Sequence, residues 1–457
     1  MKKTIFSSTA LFAVILSFYS LSGVAQNTPR AFGKTLNVSP ETGKVRCITT
    51  EYEESLKTQH PSRQTSAEFE AWLAPKIEAA QAMRMSAPPS ANAVITIPVV
   101  IHVIHNGDAV GVSENISNAQ AISQITVLNQ DFRKMMDTPG YNEHPAGADM
   151  EIQFALAVVD PNGNTTNGID RVNLEYASWD AEVDIEGYMK PTTIWDPTRY
   201  FNIWVCNFGG DMTDILGYAQ FPTGSGLPGL GGGNSAETDG VVIGYRYFGS
   251  RALVPTGNID FFYNGGRTAT HEIGHALGLR HISGDNGSCT VNATDSFNDY
   301  CPDTPPASGQ NYECVFVDSC PGGAADMIEN YMDYTPDGCM NIFTQNQKGR
   351  VLAVLQNSPR RASLTTSNVW LSTPEVAVLG GVTLYPNPTK DVLNISVPNG
   401  DLPDSYTIYN NIGQVVGNAK IASDANLNIN TSNFSNGVYF IKIDKGSQTK
   451  TLKFIKN

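Results

Sequence analysis

The strongest hydrophobic signal is a nearly unbroken apolar run at residues 94–104, Val94-Ile95-Thr96-Ile97-Pro98-Val99-Val100-Ile101-His102-Val103-Ile104. A β-branched run of that kind predicts a strand buried on both faces. Residues 117–135 instead repeat at helical spacing, with Ile122, Ile125, Leu128 and Phe132 expected on one face of an amphipathic helix. Shorter strands are predicted near 152–159, 201–206, 216–221 and 240–245, and a helix over 344–355. Residues 224–233 are mostly glycine and predict a flexible loop. Nearer the N-terminus, Phe69, Trp72, Leu73 and Ile77 form an apolar stripe that predicts a helix over 66–83. Beyond residue 381 the pattern changes to short alternating runs with Asn and Gly turns, at 392–397, 405–409 and 438–443. The chain thus reads as helices layered on one twisted, mostly parallel sheet, an α/β (α+β) arrangement, followed by a small all-β sandwich.

Composition narrows the setting. The 457 residues suffice for several domains. A net charge of -14 argues against nucleic acid or an anionic membrane surface as partner. Lys2 and Lys3, an apolar run at 10–21 and the small residues Gly23-Val24-Ala25 predict a signal peptide over 1–25. No later segment is long and apolar enough for a transmembrane helix in the mature protein. Residues 26–90 are polar, end in Ser86-Ala87-Pro88-Pro89-Ser90, and read as a leader ahead of a block at 91–362. A linker is expected at 363–381 and the β sandwich at 382–457.

The chemistry centres on His271-Glu272-Ile273-Gly274-His275-Ala276-Leu277-Gly278-Leu279-Arg280-His281. His271 and His275 are one helical turn apart and can hold a zinc ion from one side. Gly278 tolerates a left-handed backbone that ends the helix, so the chain turns back and His281 supplies a third nitrogen. Three ligands with an open fourth position describe a catalytic rather than a structural zinc site. Glu272 lies where it can take a proton from a water beside the metal. His102 and His105 have no such companions and read as structural.

Seven cysteines are an odd number for an exported chain. Cys289, Cys301, Cys314, Cys320 and Cys339 follow the histidine motif, Cys206 precedes it, and Cys47 stands alone after Arg46. Setting Cys47 aside leaves enough for three disulfides, and its thiolate suits the fourth metal position. The loop-rich stretch at 283–339 also carries Asp295, Asp299, Asp303 and the carbonyls near Thr304, oxygen donors suited to calcium.

The motif at 271–281, followed by Asn330-Tyr331-Met332-Asp333-Tyr334, resembles the metzincin clan of zinc endopeptidases. Within that clan the chain resembles the pappalysin family, in its ulilysin-like branch. Arg267-Thr268-Ala269-Thr270, Leu216-Gly217-Tyr218-Ala219-Gln220-Phe221-Pro222 and Asp303-Thr304-Pro305 carry the likeness across roughly 94–360. The resemblance implies a two-lobed fold with zinc on the cleft floor, a loop-rich C-terminal subdomain, Met332 as hydrophobic base beneath the metal, and Tyr334 steadying the transition state. It implies that a peptide adds to the edge strand at Gly217, Tyr218 and Ala219. It further implies the pairs Cys289–Cys320 and Cys314–Cys339, calcium near Asp299, Asp303 and Thr304, and a leader that acts as a pro-segment with Cys47 as a cysteine switch. Cys206 and Cys301 depart from the pattern and are left as a third bridge. An acid after the methionine turn, here Asp337, would favour Arg just after the cleaved bond; Ser62–Arg63 and Met83–Arg84 would then suit self-processing.

Leu384-Tyr385-Pro386-Asn387-Pro388-Thr389, Gly437-Val438-Tyr439 and the basic residues 453–456 resemble the C-terminal sorting domain of type IX secretion. The expectation is a secreted, monomeric endopeptidase exported through the periplasm, acting on proteins or peptides. The other readings are a surface adhesin on an inactive scaffold and, for the tail alone, a glycan- or substrate-binding module.

Overall fold

The computed structural model describes residues 29–86, 94–224, 236–285, 289–290, 299–371, 379, 382–397, 402–446 and 448–457. The signal segment expected at 1–25, most of the glycine-rich loop and Asp295 lie outside them.

The apolar run forms the longest strand of the main sheet, β1 (Ile95–His105). Its first half pairs in parallel with β2 (Ile152–Leu156) and its second half with β3 (Ile169–Asn173) on the same side. On the other side β1 pairs in parallel with β4 (Phe201–Cys206). With neighbours on both edges and layers on both faces, its continuous hydrophobicity is accounted for. Beyond β4 come β6 (Val241–Gly244), again parallel, and then β5 (Gly217–Ala219) at the edge, the one strand running antiparallel.

One face of this sheet packs on α3 (Asn118–Phe132), α4 (Arg267–Ala276) and α5 (Gln345–Asn357), in a core that includes Ile101, Val103, Leu128, Phe132, Ile203, Ile273, Met332 and Leu355. Ser117 caps α3 by accepting the Gln120 amide. The buried stripe of α3 is Ala121, Ile125, Leu128 and Phe132; Ile122 is 50% exposed, contrary to the face expected for it, because it lies one position off that stripe. Thr344 and Gln347 form a capping box that starts α5.

The opposite face carries the first part of the leader, up to Leu56. A short hairpin of Arg30–Ala31 with Lys34–Thr35 leads into α1 (Thr49–Gln59) and α2 (Ser66–Ser86). Leader residues Ala31, Leu36, Val45, Ile48, Tyr52 and Leu56 share a core with Ile104, Trp204, Ile215, Tyr218 and Val242 of the sheet. A second leader contact joins Phe69 and Leu73 of α2 to Phe221, Ala353 and Val354. There Glu70 accepts two bonds from Arg350, both at 2.6 Å, and one from Arg280 at 2.7 Å. The guanidinium charges outweigh the burial penalty and hold the Glu70 carboxyl below its usual range.

The stretch between α4 and α5 forms no helix or strand among the described residues. It is clamped by Cys289–Cys320 and Cys314–Cys339, the two pairs that the resemblance implied. The third bridge is not made: Cys206 is a free thiol inside β4 packed on the leader face, and Cys301 is a free buried thiol beside Asp299. After α5, α6 (Pro359–Leu364) and Val369 pack back onto the sheet layer.

The C-terminal part is all β. One sheet has β7 (Thr383–Tyr385), β8 (Val392–Ser396) and β11 (Asn428–Asn430); the other has β9 (Ser405–Asn410), β10 (Val415–Lys420), β12 (Gly437–Lys445) and β13 (Gln448–Lys456). The strand pairings within each sheet are antiparallel, a parallel bridge joins Thr389 to Lys456, and Leu393, Ile395, Ile408, Ile441, Ile443 and Phe454 fill the space between the sheets. Among the described residues no helix is long and apolar enough to cross a membrane.

Removing the Glu70 carboxylate leaves Arg350 buried without its counter-charge. Glu70→Ala is expected to destabilise the full chain by about 3 kcal/mol, measured by thermal unfolding. An unchanged midpoint would show that α2 is not held by this pair.

Candidate active site

The N-terminus of α4 is fixed before its histidines are placed. Gly266 enters with φ +79°, and buried Asp131 of α3 accepts from Arg267 at 3.2 Å and Thr270 at 2.8 Å. Gly274 lies against Met332; a Cβ there would meet the Met332 sulfur at 2.5 Å, so a side chain is excluded where the helix sits on its base. Gly278 takes φ +93°, the left-handed conformation expected of it, and the Leu279 amide returns to the Gly274 carbonyl at 2.9 Å. The reversal brings His281 back beneath α4.

Three imidazoles then converge. Their Nε2 atoms stand 3.1 Å (His271–His275), 3.2 Å (His271–His281) and 2.9 Å (His275–His281) apart. Each Nδ1 has another partner: the Tyr331 carbonyl at 2.7 Å, the Leu279 carbonyl at 2.8 Å and the Asp285 carboxylate at 2.6 Å. A ring whose Nδ1 donates to oxygen presents a bare lone pair at Nε2, so three lone pairs point at one small volume. Burial, and then the neighbouring imidazoles, keep His271 and His275 well below the usual histidine range and therefore neutral. Burial also opposes charge on His281, but Asp285 outweighs it. The Cys47 sulfur completes a group of four ligand atoms within 4.8 Å of one another. The spacing and the nitrogen–sulfur donor set fit a tetrahedral zinc ion.

Glu272 faces the same volume. Its Oε2 accepts from Thr49 at 2.9 Å and Cys47 at 3.4 Å, and Oε1 has no partner. Burial pushes its carboxyl up to about 7, against the hydrogen bonds from Thr49 and Cys47. The Tyr334 ring stands 4.8 Å from that of His281, and its hydroxyl reaches the Cys47 carbonyl at 3.5 Å. Asp333, itself anchored by Asn311, takes the Tyr334 amide at 2.8 Å.

The leader crosses this site as an extended chain. Val45 bridges Ile215 in parallel; its amide donates to Asp214 at 2.8 Å and its carbonyl accepts from Leu216 at 2.9 Å. Four residues on, Thr49 Oγ1 accepts from the Ala219 amide at 2.8 Å. Main-chain pairing of the leader thus ends at Leu216, just before the edge strand of Gly217, Tyr218 and Ala219, and Ala219 is met by a side chain. Asp337 is buried, and Arg46 meets it at 2.8 Å. The Gly265 and Arg267 amides also donate to Asp337, at 2.9 and 3.1 Å. Of the oxygen donors, Asp299 accepts from Thr304 at 2.8 Å, while Asp303 accepts from Thr344 and the Asn346 amide at the start of α5. Arg63 is buried in a two-point pair with Glu53, so it is not presented for cleavage in this state; Met83 is exposed near the end of α2.

Three contributors were not foreseen. Asp285 stands four residues after His281, a spacing that could have signalled an orienting acid. Asp131 and Thr49 gave no local signal, since their partners lie 139 and 223 residues away.

A mixed sheet over a histidine-bearing helix, with a tyrosine-carrying turn and a methionine base beneath it, defines a metalloendopeptidase of metzincin type. Residues 189–356 match the family described as pregnancy-associated plasma protein-A, and residues 383–457 match the secretion system C-terminal sorting domain. An extracellular metalloprotease of Arthroderma otae is 33% identical over 61% of this chain and 84% of its own length. Mature mirolysin of Tannerella forsythia, solved with a cleaved peptide, is 40% identical over 61% of this chain and 97% of its own, with a TM-score of 0.50. Promirolysin from the same organism is 38% identical over 64% and 91%, with a TM-score of 0.51. The chain belongs to the pappalysin family, named for pregnancy-associated plasma protein-A, and is a secreted or cell-surface metalloendopeptidase with a type IX sorting tail.

Proposed function

We propose that the chain is made as a latent zinc endopeptidase. Residues 1–25 are a signal peptide, 26–90 the pro-segment, 91–362 the catalytic part, 363–381 a linker and 382–457 the secretion address. The observation that carries this reading is the convergence of three bare imidazole nitrogens on the Cys47 sulfur, with Glu272 alongside. His271, His275 and His281 hold the zinc, and Cys47 occupies its fourth position until the leader is cut away. Zinc held by these residues would supply Lewis-acid chemistry to a water and to the scissile carbonyl. Glu272 takes the proton of the attacking water and passes it to the leaving amine. Tyr334 donates its hydroxyl to the oxyanion once the Cys47 carbonyl has gone. Intact His271, Glu272, His275, His281 and Tyr334 leave an inactive, adhesin-like scaffold without support.

The Arg46–Asp337 pair supports a preference for Arg after the cleaved bond, since the leader already seats a guanidinium on that carboxylate. Buried Asp299, with Asp303 and Thr304 nearby, suits calcium. Burial pushes the Asp299 carboxyl up to about 7, and the Asp303 charge adds to this. A divalent cation would relieve both effects.

Glu272→Ala should retain stoichiometric zinc by metal analysis while casein cleavage falls roughly 1,000-fold. Tyr334→Phe should cost less, roughly 10- to 100-fold in turnover; full activity in either variant overturns the role assigned to that residue. Cys47→Ala should give a full-length chain that acquires gelatin-cleaving activity sooner than the parent, and equal latency would exclude the thiol as the plug. Asp337→Asn should reduce an Arg-over-Ala preference after the scissile bond from about 100-fold towards parity, read as kcat/KM on paired peptides. In chelator, the unfolding midpoint should fall as pH rises from about 4 to 7, because the unfolded Asp299 gives up its proton first. Calcium or Asp299→Asn should flatten that slope; a slope identical in all three preparations removes Asp299 from the ion site.

A further inference from the structure

Tyr52 of the leader docks its phenol among Glu186, Lys190, Tyr218, Gln220 and Thr238 of the catalytic part. The residue lies in α1, five positions after Cys47, and is only 2% exposed. Its hydroxyl donates to Glu186, with Gln220 Oε1 and Thr238 Oγ1 each at 3.4 Å. Its ring meets that of Tyr218 edge-on, with centroids 5.3 Å apart. The Lys190 ammonium lies 5.0 Å from the Tyr52 ring and 4.7 Å from the Tyr218 ring. Glu186 also accepts from the Tyr218 hydroxyl at 2.6 Å and pairs with Lys190 at 2.6 Å.

Every member of this cluster except Tyr52 belongs to the catalytic part. Glu186 and Lys190 stand in the helical stretch 182–193, whose central turn, Ile185–Met189, is π-helical, a distortion common at functional sites. A fully buried ammonium is costly unless it is paired, and Lys190 is buried against the rings of Tyr52, Trp204 and Tyr218 with Glu186 as its ion partner. Its contact with Glu186 at 2.6 Å fixes the carboxylate where the Tyr52 hydroxyl arrives. A cleft of about 270 Å³, bordered by Tyr52, Leu56, Glu182 and Glu186, already separates the leader from this stretch.

The cluster also has a place along the cleft. The leader runs parallel to the edge strand, from Val45 at Ile215 to Thr49 at Ala219. Arg46 and Asp337 lie towards the Ile215 end, whereas Tyr52 lies beyond Ala219, towards Gln220. If Asp337 takes the side chain just after the cleaved bond, the Tyr52 site lies on the other side of the metal, upstream of that bond.

We propose that Glu186, fixed by Lys190 and Tyr218, forms a specificity subsite of the mature enzyme for a substrate tyrosine upstream of the cleaved bond, and that Tyr52 is the leader's stand-in for it. The inference rests on the readings of the chain as a peptidase and of residues 26–90 as a pro-segment.

The test uses the protein after proteolytic removal of its leader. Peptides carry Arg after the scissile bond and Tyr, Phe or Ala at each of the second to fifth positions before it. At one of those positions kcat/KM should rank Tyr above Phe above Ala, with Tyr over Phe by about tenfold, the effect of one hydrogen bond to a charged acceptor. Glu186→Gln should collapse the Tyr-over-Phe ratio towards one while Phe stays ahead of Ala. Absence of any upstream Tyr preference, or a ratio that survives Glu186→Gln, overturns the proposal. A preparation that cuts none of the peptides fails at the peptidase reading instead. Because Glu186→Gln leaves Lys190 without its partner, a second measurement uses the unaltered enzyme and a synthetic peptide of residues 43–56 as inhibitor. Tyr52→Phe in that peptide should weaken inhibition about tenfold, and equal potency of the two peptides overturns the subsite.

Discussion

Three imidazole lone pairs held about 3 Å apart are the constraint on which the rest of the molecule depends. Lone pairs so placed repel one another, and a cation between them is what makes the arrangement favourable. Everything nearby serves to aim them. Asp131 fixes the start of α4, Gly278 reverses the chain behind it, and two carbonyls and Asp285 settle the tautomers. Met332 sets the depth, which is why position 274 carries no side chain. The large sheet contributes an edge, β5, whose direction is opposite to that of its neighbours.

The leader is built to the same plan in reverse. The leader adds a partner at four places: a sulfur for the three nitrogens, a hydroxyl for Glu272 Oε2, a guanidinium for Asp337 and a phenol for Glu186. Burying these groups unpaired would cost several kcal/mol per charge, so matched polar pairs accompany the apolar contacts of residues 29–86. The Glu70 contact with Arg280 and Arg350 extends this principle to α2, beyond the cleft.

Legibility in the sequence followed the range of the forces involved. β1 and the histidine motif could be read because their signals are local: a continuous apolar run, and ligands one turn apart. α1 could not, since Thr49-Thr50-Glu51-Tyr52-Glu53-Glu54 is largely polar and two residues, Tyr52 and Leu56, dock it. β3 was missed because Ile169-Asp170-Arg171-Val172-Asn173 resembles loop; it becomes a strand by taking over the edge of β1 where β2 stops. Ile122 was misassigned by one helical position. Arg46 and Asp337 each stood out locally, but their pairing spans 291 residues and only the fold brings them together.

The Cys314–Cys339 bridge ties the end of the loop region to a strand of sequence that holds both Tyr334 and Asp337. Disulfides of this kind form in oxidising surroundings and not in a reducing cytoplasm. One wall of the cleft is therefore finished only after the chain has left the cell interior. Quite apart from the leader, the protein carries a chemical clock: until its surroundings oxidise it, the loop bearing those two side chains lacks its covalent tether.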